Sequence, residues 1–158
     1  MNPSASVSKL LDATSGRRVA LDSVVFIYHL AADDRYGPLV SPLFRMWESG
    51  RGSAVASTIA ILEILVGPLK AGGDKEAAET VRALSVFPNL EILPVTLEIA
   101  ERAAELRARH GLRAPDAVHA ATALVCHAEL FLTNDRPLEH VREIEVLILD
   151  DFVESGKG

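Results

Sequence analysis

The sequence predicts a single α/β domain with a central, mainly parallel sheet of about four to five strands and helices on both faces. Two observations support this prediction. Short apolar segments alternate along the chain with longer segments of helical periodicity. The short segments carry Val, Ile, Leu and Ala on both faces, which is typical of parallel strands covered on both sides. A length of 158 residues, 49% of them hydrophobic, suits one domain with a sizeable core.

The predicted elements follow the approximate order β-α-α-β-α-α-β-α-α-β-β. In chain order, the predicted strands are "RVALD" (18–22), "SAVAS" (53–57), "LEIL" (90–93), "ELFLT" (129–133) and "EIEVLIL" (143–149). The clearest helix is "PVTLEIAERAAELRARHG", for which Thr96 is the expected N-cap and Gly111 the expected stop. Gly67 and Pro68 are expected to end the helix that leaves the second strand.

The domain is expected to occupy residues 18–150. Residues 1–17 are polar and are predicted as an N-terminal extension, with a short helix around Val7–Leu11. Residues 151–158 are predicted as a short C-terminal tail.

Composition excludes several classes of protein. The formal net charge is -6, so the chain as a whole is not a basic nucleic-acid binder, and a nucleic-acid partner needs a local basic patch. The single cysteine, Cys126, excludes a disulfide within the chain and a zinc site built on cysteines. It also fits a reducing compartment, so the expected location is cytoplasmic.

Neither export nor membrane insertion is expected from the apolar segments. Arg17 and Arg18 precede an apolar run, as in a twin-arginine signal, but Asp22 and His29 interrupt that run. No A-x-A cleavage site follows it, and no apolar stretch reaches the ~18 residues that span a bilayer.

Four acidic residues stand at the edges of apolar segments. Asp22 ends the first predicted strand, and Asp135 follows the fourth. Glu63 lies on the helix that leaves the second strand, within the apolar stretch "TIAILEIL", and Asp116 opens a later helix after Pro115. Ligands of parallel sheets bind outside the carboxyl ends of the strands, so one rim can collect all four carboxylates.

Each of these acids also has a structural interpretation. Asp116 suits a helix N-terminus, Asp135 suits the turn "TNDRP", and Asp22 suits a helix cap. Glu63 is the hardest to explain in this way, because no Lys or Arg lies within a helical turn of it. A structural role for Glu63 therefore requires a distant partner such as an arginine.

Four carboxylates on one rim repel each other, and a hard divalent cation removes that conflict. Oxygen ligands without a Cys or His cluster favour Mg²⁺ or Mn²⁺ over zinc. One or two such ions activate a water and stabilise the leaving oxygen during phosphodiester cleavage. The sequence therefore predicts that Asp22, Glu63, Asp116 and Asp135 cluster as a site for Mg²⁺ or Mn²⁺, and the family resemblance described next implies that they are also the catalytic acids.

The segments "VALDSVVFIYHL", "STIAILEILVG", "LRAPDAVHAATAL" and "LFLTNDRPL" resemble, in order and spacing, those of PIN-domain ribonucleases. The nearest likeness is to the VapC-type toxins of prokaryotic type II toxin–antitoxin systems. The likeness covers residues 18–150 and implies a PIN-like fold and an Mg²⁺- or Mn²⁺-dependent endoribonuclease. It also implies an RNA substrate, a homodimer, and a cognate antitoxin that wraps apolar surface and places a basic side chain in the acidic site.

The resemblance assigns the four site acids to Asp22, Glu63, Asp116 and Asp135. Asp22, Asp116 and Asp135 would hold the ion most directly, and Glu63 would complete the site or position the attacking water. Ser23 and Thr133 match hydroxyl residues that orient carboxylates, and Asn134 is a candidate to hold a water of the ion. Val24 departs from the family pattern, which often has Asn there.

Three neighbouring side chains complete the list of candidates. Arg113 and Arg136 flank the acids in sequence and are expected to bind RNA phosphates, or else to pair with neighbouring acids. His119 lies three residues after Asp116 on the same helix face. It either contacts RNA or shuttles a proton, or it is a satisfied core or rim residue, which we favour.

The alternative function is a PIN-like module that binds RNA or protein without cleaving it. Degenerate sites usually lose one or more acids, and all four are present here, which favours the enzyme. An aspartyl-phosphate phosphatase is set aside, because such enzymes need a second Asp two residues after the first, where this chain has Val24.

Overall fold

The computed structural model describes residues 4–153. Its strands are β1 (Arg18–Leu21), β2 (Ser53–Ser57), β3 (Leu90–Leu93), β4 (Leu130–Thr133) and β5 (Glu145–Ile148). Its helices are α1 (Ala5–Thr14), α2 (Ser23–Leu30), α3 (Gly37–Glu48), α4 (Thr58–Lys70), α5 (Asp74–Ser85), α6 (Leu97–His110) and α7 (Ala114–Val125). Two 3-10 helices span Arg136–His140 and Leu149–Phe152.

The five strands form one sheet in the order β3-β2-β1-β4-β5, and every described pair is parallel. This confirms the predicted α/β class and parallel sheet. From β1 the chain moves outward to β2 and β3, and it then returns to place β4 and β5 on the other side of β1. The direction of winding therefore reverses between β1 and β4, and ligands of open α/β sheets bind at such a point.

Alternate residues of the central strands enter separate hydrophobic cores on the two faces of the sheet. In β1, Val19 and Leu21 face one core and Ala20 faces the other. Helices α1 to α5 contribute to the first core, and α6 and α7 contribute to the second. Helices therefore cover both faces, as predicted, and hold the strand ends rigidly where the acids emerge.

Helix α1 packs as part of the domain, although the sequence suggested only a polar extension with a short helix around Val7–Leu11. The helix is longer than expected, and Val7 and Leu10 are buried in the first core. Phe152, in the expected tail, is buried in the same core. Residues 1–3 of the extension and 154–158 of the tail lie outside the described residues.

Helix α4 continues two residues beyond its predicted end at Gly67 and Pro68. Its last residue is Lys70, with Pro68 inside the final turn. Gly72, at a φ of +78°, turns the chain, and the Gly73 N–H donates to the Pro68 carbonyl over 2.9 Å. These contacts cap the helix in a way that the sequence pattern did not reveal.

The expected caps of α6 are confirmed. The Thr96 hydroxyl accepts from the Ile99 N–H, and Gly111 ends the helix in the left-handed region at a φ of +66°. Among the described helices, none is both long enough and apolar enough to cross a membrane.

The packing of α1 predicts that Leu10→Ala destabilises the whole domain. Leu10 is fully buried in the first core, so its truncation leaves a cavity that should cost about 2–5 kcal/mol in the free energy of unfolding. Urea unfolding followed by circular dichroism measures this cost.

Leu97→Ala is the matched control, because the Leu97 side chain is 77% exposed. We expect this change to cost less than about 0.5 kcal/mol. Equal unfolding free energies for Leu10→Ala and the wild type would show that α1 is not part of the folded domain.

Candidate metal and active site

The four predicted acids line one cleft beside the carboxyl ends of β1 and β4. The cleft has a volume of about 250 Å³. Its lining residues are Asp22, Ser23, Val24, Tyr28, Glu63, Arg113, Asp116, Asn134 and Asp135. The structure thus brings together side chains from four separate chain segments at the point where the sheet reverses its direction of winding.

Asp22 is the most firmly held of the acids. It follows β1 directly and is 7% exposed. The Thr133 hydroxyl, at the end of the neighbouring strand β4, donates to Asp22 Oδ2 over 2.6 Å. The Ser23 hydroxyl donates to Asp22 Oδ1 over 3.3 Å. Both predicted hydroxyl residues therefore contact the Asp22 carboxylate.

Asp116 and Asp135 lie on the other side of the cleft, with Arg113 between them. Asp116 is in the first turn of α7 and is 8% exposed. Arg113 Nε donates to Asp116 Oδ2 over 2.9 Å, and its Nη2 lies 3.8 Å from Asp135 Oδ2. The neighbouring Asp116 carboxylate raises the pKa of Arg113. Arg113 thus balances part of the negative charge of the cleft.

The ionised form of Asp135 is disfavoured even though Arg113 lies nearby. Burial raises the pKa of Asp135, and the charge of Asp116 raises it further. Its backbone N–H donates to the Thr133 hydroxyl over 3.1 Å, so the same threonine fixes the positions of both Asp22 and Asp135.

Glu63 has a partner that the sequence did not predict. His119 Nε2 lies 2.6 Å from Glu63 Oε1 and 3.6 Å from Asp22 Oδ1. This hydrogen bond lowers the pKa of Glu63, and burial opposes the effect. The acid therefore pairs with a histidine from α7 and not with a distant arginine.

His119 combines the two interpretations that the sequence left open. It is only 2% exposed, as expected of a core residue, yet its Nε2 faces the acids. The sequence signal was its position three residues after Asp116, which places both on one face of α7. The sequence does not reveal that α7 packs against α4, and this packing brings that face of α7 to Glu63.

Asn134 and Tyr28 form one wall of the cleft. The Asn134 amide donates to the Tyr28 hydroxyl over 3.2 Å, and its Oδ1 accepts from the Asp150 N–H over 2.9 Å. The Tyr28 ring stacks on Tyr36 with 4.2 Å between the centroids. Tyr28 was not singled out as a site residue from sequence, because nothing in the pattern showed which way its ring points.

Arg136 lies away from the cleft, although it follows Asp135 in sequence. Its guanidinium pairs with Asp151 over 2.6 Å and with Glu139 over 2.7 Å. It is not among the residues that line the cleft. Of the two arginines expected near the acids, the structure therefore brings only Arg113 to them.

The cleft residues fit a divalent cation. A carboxylate oxygen of Asp22, a carboxylate oxygen of Glu63 and a ring nitrogen of His119 lie within 4.8 Å of one another, so two of the acids reach the same point of the cleft. Burial and the nearby Asp116 carboxylate both raise the pKa of Asp135, and a bound cation would favour its ionised form. The four acids offer oxygen ligands, which Mg²⁺ and Mn²⁺ prefer.

Comparison with known families identifies the class. The family profile described as "PIN domain" matches residues 19–144, which is most of the chain. The chain therefore belongs to the PIN domain family. No curated protein sequence matches the chain at a significant level.

Several solved structures share this fold. A toxin–antitoxin complex from Klebsiella pneumoniae is 24% identical with a TM-score of 0.63, over 84% of this chain and 97% of that one. DNA-bound VapBC from Salmonella typhimurium is 18% identical with a TM-score of 0.65, over 84% of this chain and 98% of that one. VapC20 of Mycobacterium tuberculosis is described as a sarcin-ricin loop cleaving toxin. It is 19% identical with a TM-score of 0.57, over 72% of this chain and 86% of that one.

The raised pKa of Asp135 predicts a pH-dependent gain in stability for Asp135→Asn without metal. A raised pKa means that the ionised carboxylate destabilises the folded protein at neutral pH. We expect Asp135→Asn to melt above the wild type at pH 7, and the difference to be smaller in a buffer of about pH 4, because acid protonates the wild-type carboxyl and removes its charge. Differential scanning fluorimetry at both pH values measures it.

Adding Mg²⁺ should raise the melting temperature of the wild type more than that of Asp135→Asn. The wild type keeps all four carboxylates and therefore binds the ion more tightly. Asp34→Asn, at an exposed loop position, is the matched control and should gain as much from Mg²⁺ as the wild type. If Asp135→Asn melts below the wild type at pH 7 and Mg²⁺ raises both melting temperatures equally, the Asp135 carboxylate is neither destabilising nor a metal ligand.

Proposed function

We propose that this chain is a metal-dependent endoribonuclease that hydrolyses RNA phosphodiester bonds and acts as the toxin of a toxin–antitoxin pair. The observation that carries the nuclease proposal is the convergence of four acidic side chains on one cleft. Membership of the PIN domain family supports the same class of activity.

Asp22, Asp116 and Asp135 are the residues that would hold Mg²⁺ or Mn²⁺ most directly, and Glu63 would complete the site or orient the attacking water. When bound, the ion would neutralise charge on the phosphate and make a water more acidic. The carboxylates stand on rigid elements, since Asp22 follows β1 and Asp116 lies in the first turn of α7.

The remaining cleft residues would orient the acids and the substrate. Thr133 and Ser23 hold the Asp22 carboxylate in one orientation. The Arg113 side chain is 78% exposed, so its guanidinium is available to a phosphate that the acids alone would repel. In the reaction, a water oxygen bonds to phosphorus, the bond to one ester oxygen breaks, and that oxygen takes up a proton.

The toxin proposal is supported by structural neighbours described as a toxin–antitoxin complex from Klebsiella pneumoniae and as DNA-bound VapBC from Salmonella typhimurium. The substrate proposal is supported by VapC20, a protein of the same fold that is described as a sarcin-ricin loop cleaving toxin. Antitoxin binding would place a basic side chain among the acids, where Arg113 already shows that a guanidinium is accommodated.

An apolar groove between α2, α4 and α5 offers a surface for the antitoxin. We call it the α2–α4 groove; its lining residues are Ile27, Leu30, Ala31, Ile64, Pro68, Glu76 and Thr80. Of these residues, Ile27 and Leu30 are large, apolar and exposed. Exposed apolar side chains gathered on one part of a surface typically mark an interaction site.

The proposal includes a homodimer and a cytoplasmic location, where the chain would meet both RNA and its antitoxin. Analytical ultracentrifugation of the isolated chain tests the dimer. A small neighbouring reading frame that encodes a DNA-binding protein would support the toxin assignment, and its absence would favour a nuclease without an antitoxin.

Asp116→Asn should abolish cleavage without unfolding the protein. Loss of one charged ligand should reduce Mg²⁺-dependent cleavage of labelled RNA by more than about 100-fold. Gel assays with and without EDTA measure it, and circular dichroism checks the fold.

Glu79→Gln is the control, because Glu79 lies on α5, outside the acidic cleft, where it pairs only weakly with Lys75 over 3.9 Å. It should cleave like the wild type. If the wild-type protein binds RNA but never cleaves it, the chain is the non-catalytic module. If Asp116→Asn cleaves RNA as fast as the wild type does, Asp116 has no role in the reaction.

Charge inserted into the α2–α4 groove should weaken antitoxin binding and leave cleavage intact. We expect Leu30→Glu to reduce affinity for the protein encoded by the neighbouring reading frame by at least about tenfold, because the charge must be desolvated at the interface. Titration calorimetry measures the affinity. Leu97→Glu, on exposed apolar surface of α6, is the control, and equal affinities for both variants would place the antitoxin elsewhere.

A further inference from the structure

We propose that His119 is a positioning residue that donates its Nε2–H to Glu63 and sets the place of that carboxylate, and that it is not a metal ligand. The inference deepens the proposed function, since it concerns how the acidic cleft receives its cation. It rests on the geometry of one buried ring between two acids from different parts of the fold.

The contact between His119 and an ionised Glu63 carboxylate requires a proton on Nε2. The two atoms are 2.6 Å apart, and two lone pairs would repel each other at that distance. Asp22 Oδ1, at 3.6 Å from Nε2, adds a second negative charge on the same side of the ring. A donor at Nε2 is therefore stabilised by two carboxylates.

The other ring nitrogen identifies the tautomer. Nδ1 is buried and has no hydrogen-bond partner among the described residues 4–153. An unpaired buried N–H is rarer and more costly in proteins than an unpaired acceptor. The favoured assignment is a lone pair at Nδ1 and the proton at Nε2, inferred from the hydrogen-bond partners of the two nitrogens.

This arrangement is unsuited to metal ligation by His119. A histidine that binds a metal through Nε2 carries its proton on Nδ1 and almost always donates it to a carboxylate, carbonyl or water. No described residue accepts a proton from Nδ1. Binding through Nε2 would therefore give up the hydrogen bond to Glu63 and bury an unpaired N–H.

As a donor, His119 gives Glu63 a hydrogen-bond partner that its own helix does not supply. The Glu63 side chain is one-third exposed, and no Lys or Arg lies within a helical turn of it. His119 and Asp116 are three residues apart on α7, so one rigid helix presents an acid to the cleft and holds the acid that comes from α4. His119 thereby fixes the spacing between Glu63 and Asp116.

Nitrogen-15 NMR on the labelled wild-type protein tests the tautomer directly. We expect His119 to carry its proton on Nε2 without metal and to keep it when Mg²⁺ is added. A proton on Nδ1, or loss of the Nε2 proton on metal binding, would overturn the proposal. This readout needs no variant and is independent of RNA cleavage.

Two substitutions separate a donor from a ligand, with Mn²⁺ and Ni²⁺ as probes in titration calorimetry. His119→Leu removes the donor and should weaken Mn²⁺ binding by about tenfold, the size expected for one hydrogen bond to a charged group. His119→Gln places an amide N–H near the position of Nε2 and should restore binding to within about threefold of the wild type.

The ratio of Ni²⁺ to Mn²⁺ affinity should stay unchanged in both variants. If both lose Ni²⁺ affinity far more than Mn²⁺ affinity, His119 is a nitrogen ligand and the proposal is wrong. If neither variant changes Mn²⁺ binding, the positioning role is wrong as well. Thermal melts check folding, and if His119→Leu does not fold, His119→Gln and the wild-type NMR still decide.

A double-mutant cycle assigns the effect to Glu63. His119→Leu should weaken Mn²⁺ binding much less in a Glu63→Gln background, because the charged acceptor is already gone. Equal losses in both backgrounds would show that His119 acts without Glu63. If the wild type binds Mn²⁺ as expected but cleaves no RNA, the proposed function fails while the role of His119 stands.

Discussion

The hydrogen bond that Thr133 donates to Asp22 joins the ends of the two strands at which the sheet reverses its direction of winding. Parallel pairing sets Leu21 of β1 opposite Leu132 of β4, so the next residue of each strand reaches the same edge. Thr133 also accepts the Asp135 N–H, and it is fully buried. One side chain therefore fixes two of the four acids, and the cleft depends on the register of β1 and β4.

Helix α7 supplies the other half of the site. It carries Asp116 and His119 one turn apart and packs against both β1 and β2. The resulting cleft brings four carboxylates together with the largely exposed guanidinium of Arg113, and burial and the charge of Asp116 raise the pKa of Asp135. Such an arrangement fits a site that is completed by a cation.

Much of this organisation could be predicted from the sequence because it depends on local patterns. Apolar runs of four or five residues located the strands, and isolated acids after those runs located the rim of the sheet. Contacts set by packing could not be predicted in this way. Adjacency to Asp135 suggested a place for Arg136 in the cleft, but a 3-10 helix carries it to Asp151 instead. His119 was visible on the face of Asp116, but its meeting with Glu63 depends on how α7 packs against α4.

Anomalous diffraction from crystals of the protein grown with Mn²⁺ shows whether these acids form one divalent-cation site. We expect an anomalous peak within the cleft, bonded to oxygen atoms of Asp22, Asp116 and Asp135 and separated from His119 by Glu63. An empty cleft at saturating Mn²⁺, or a peak bonded only to residues outside the cleft, would show that the acids do not form such a site.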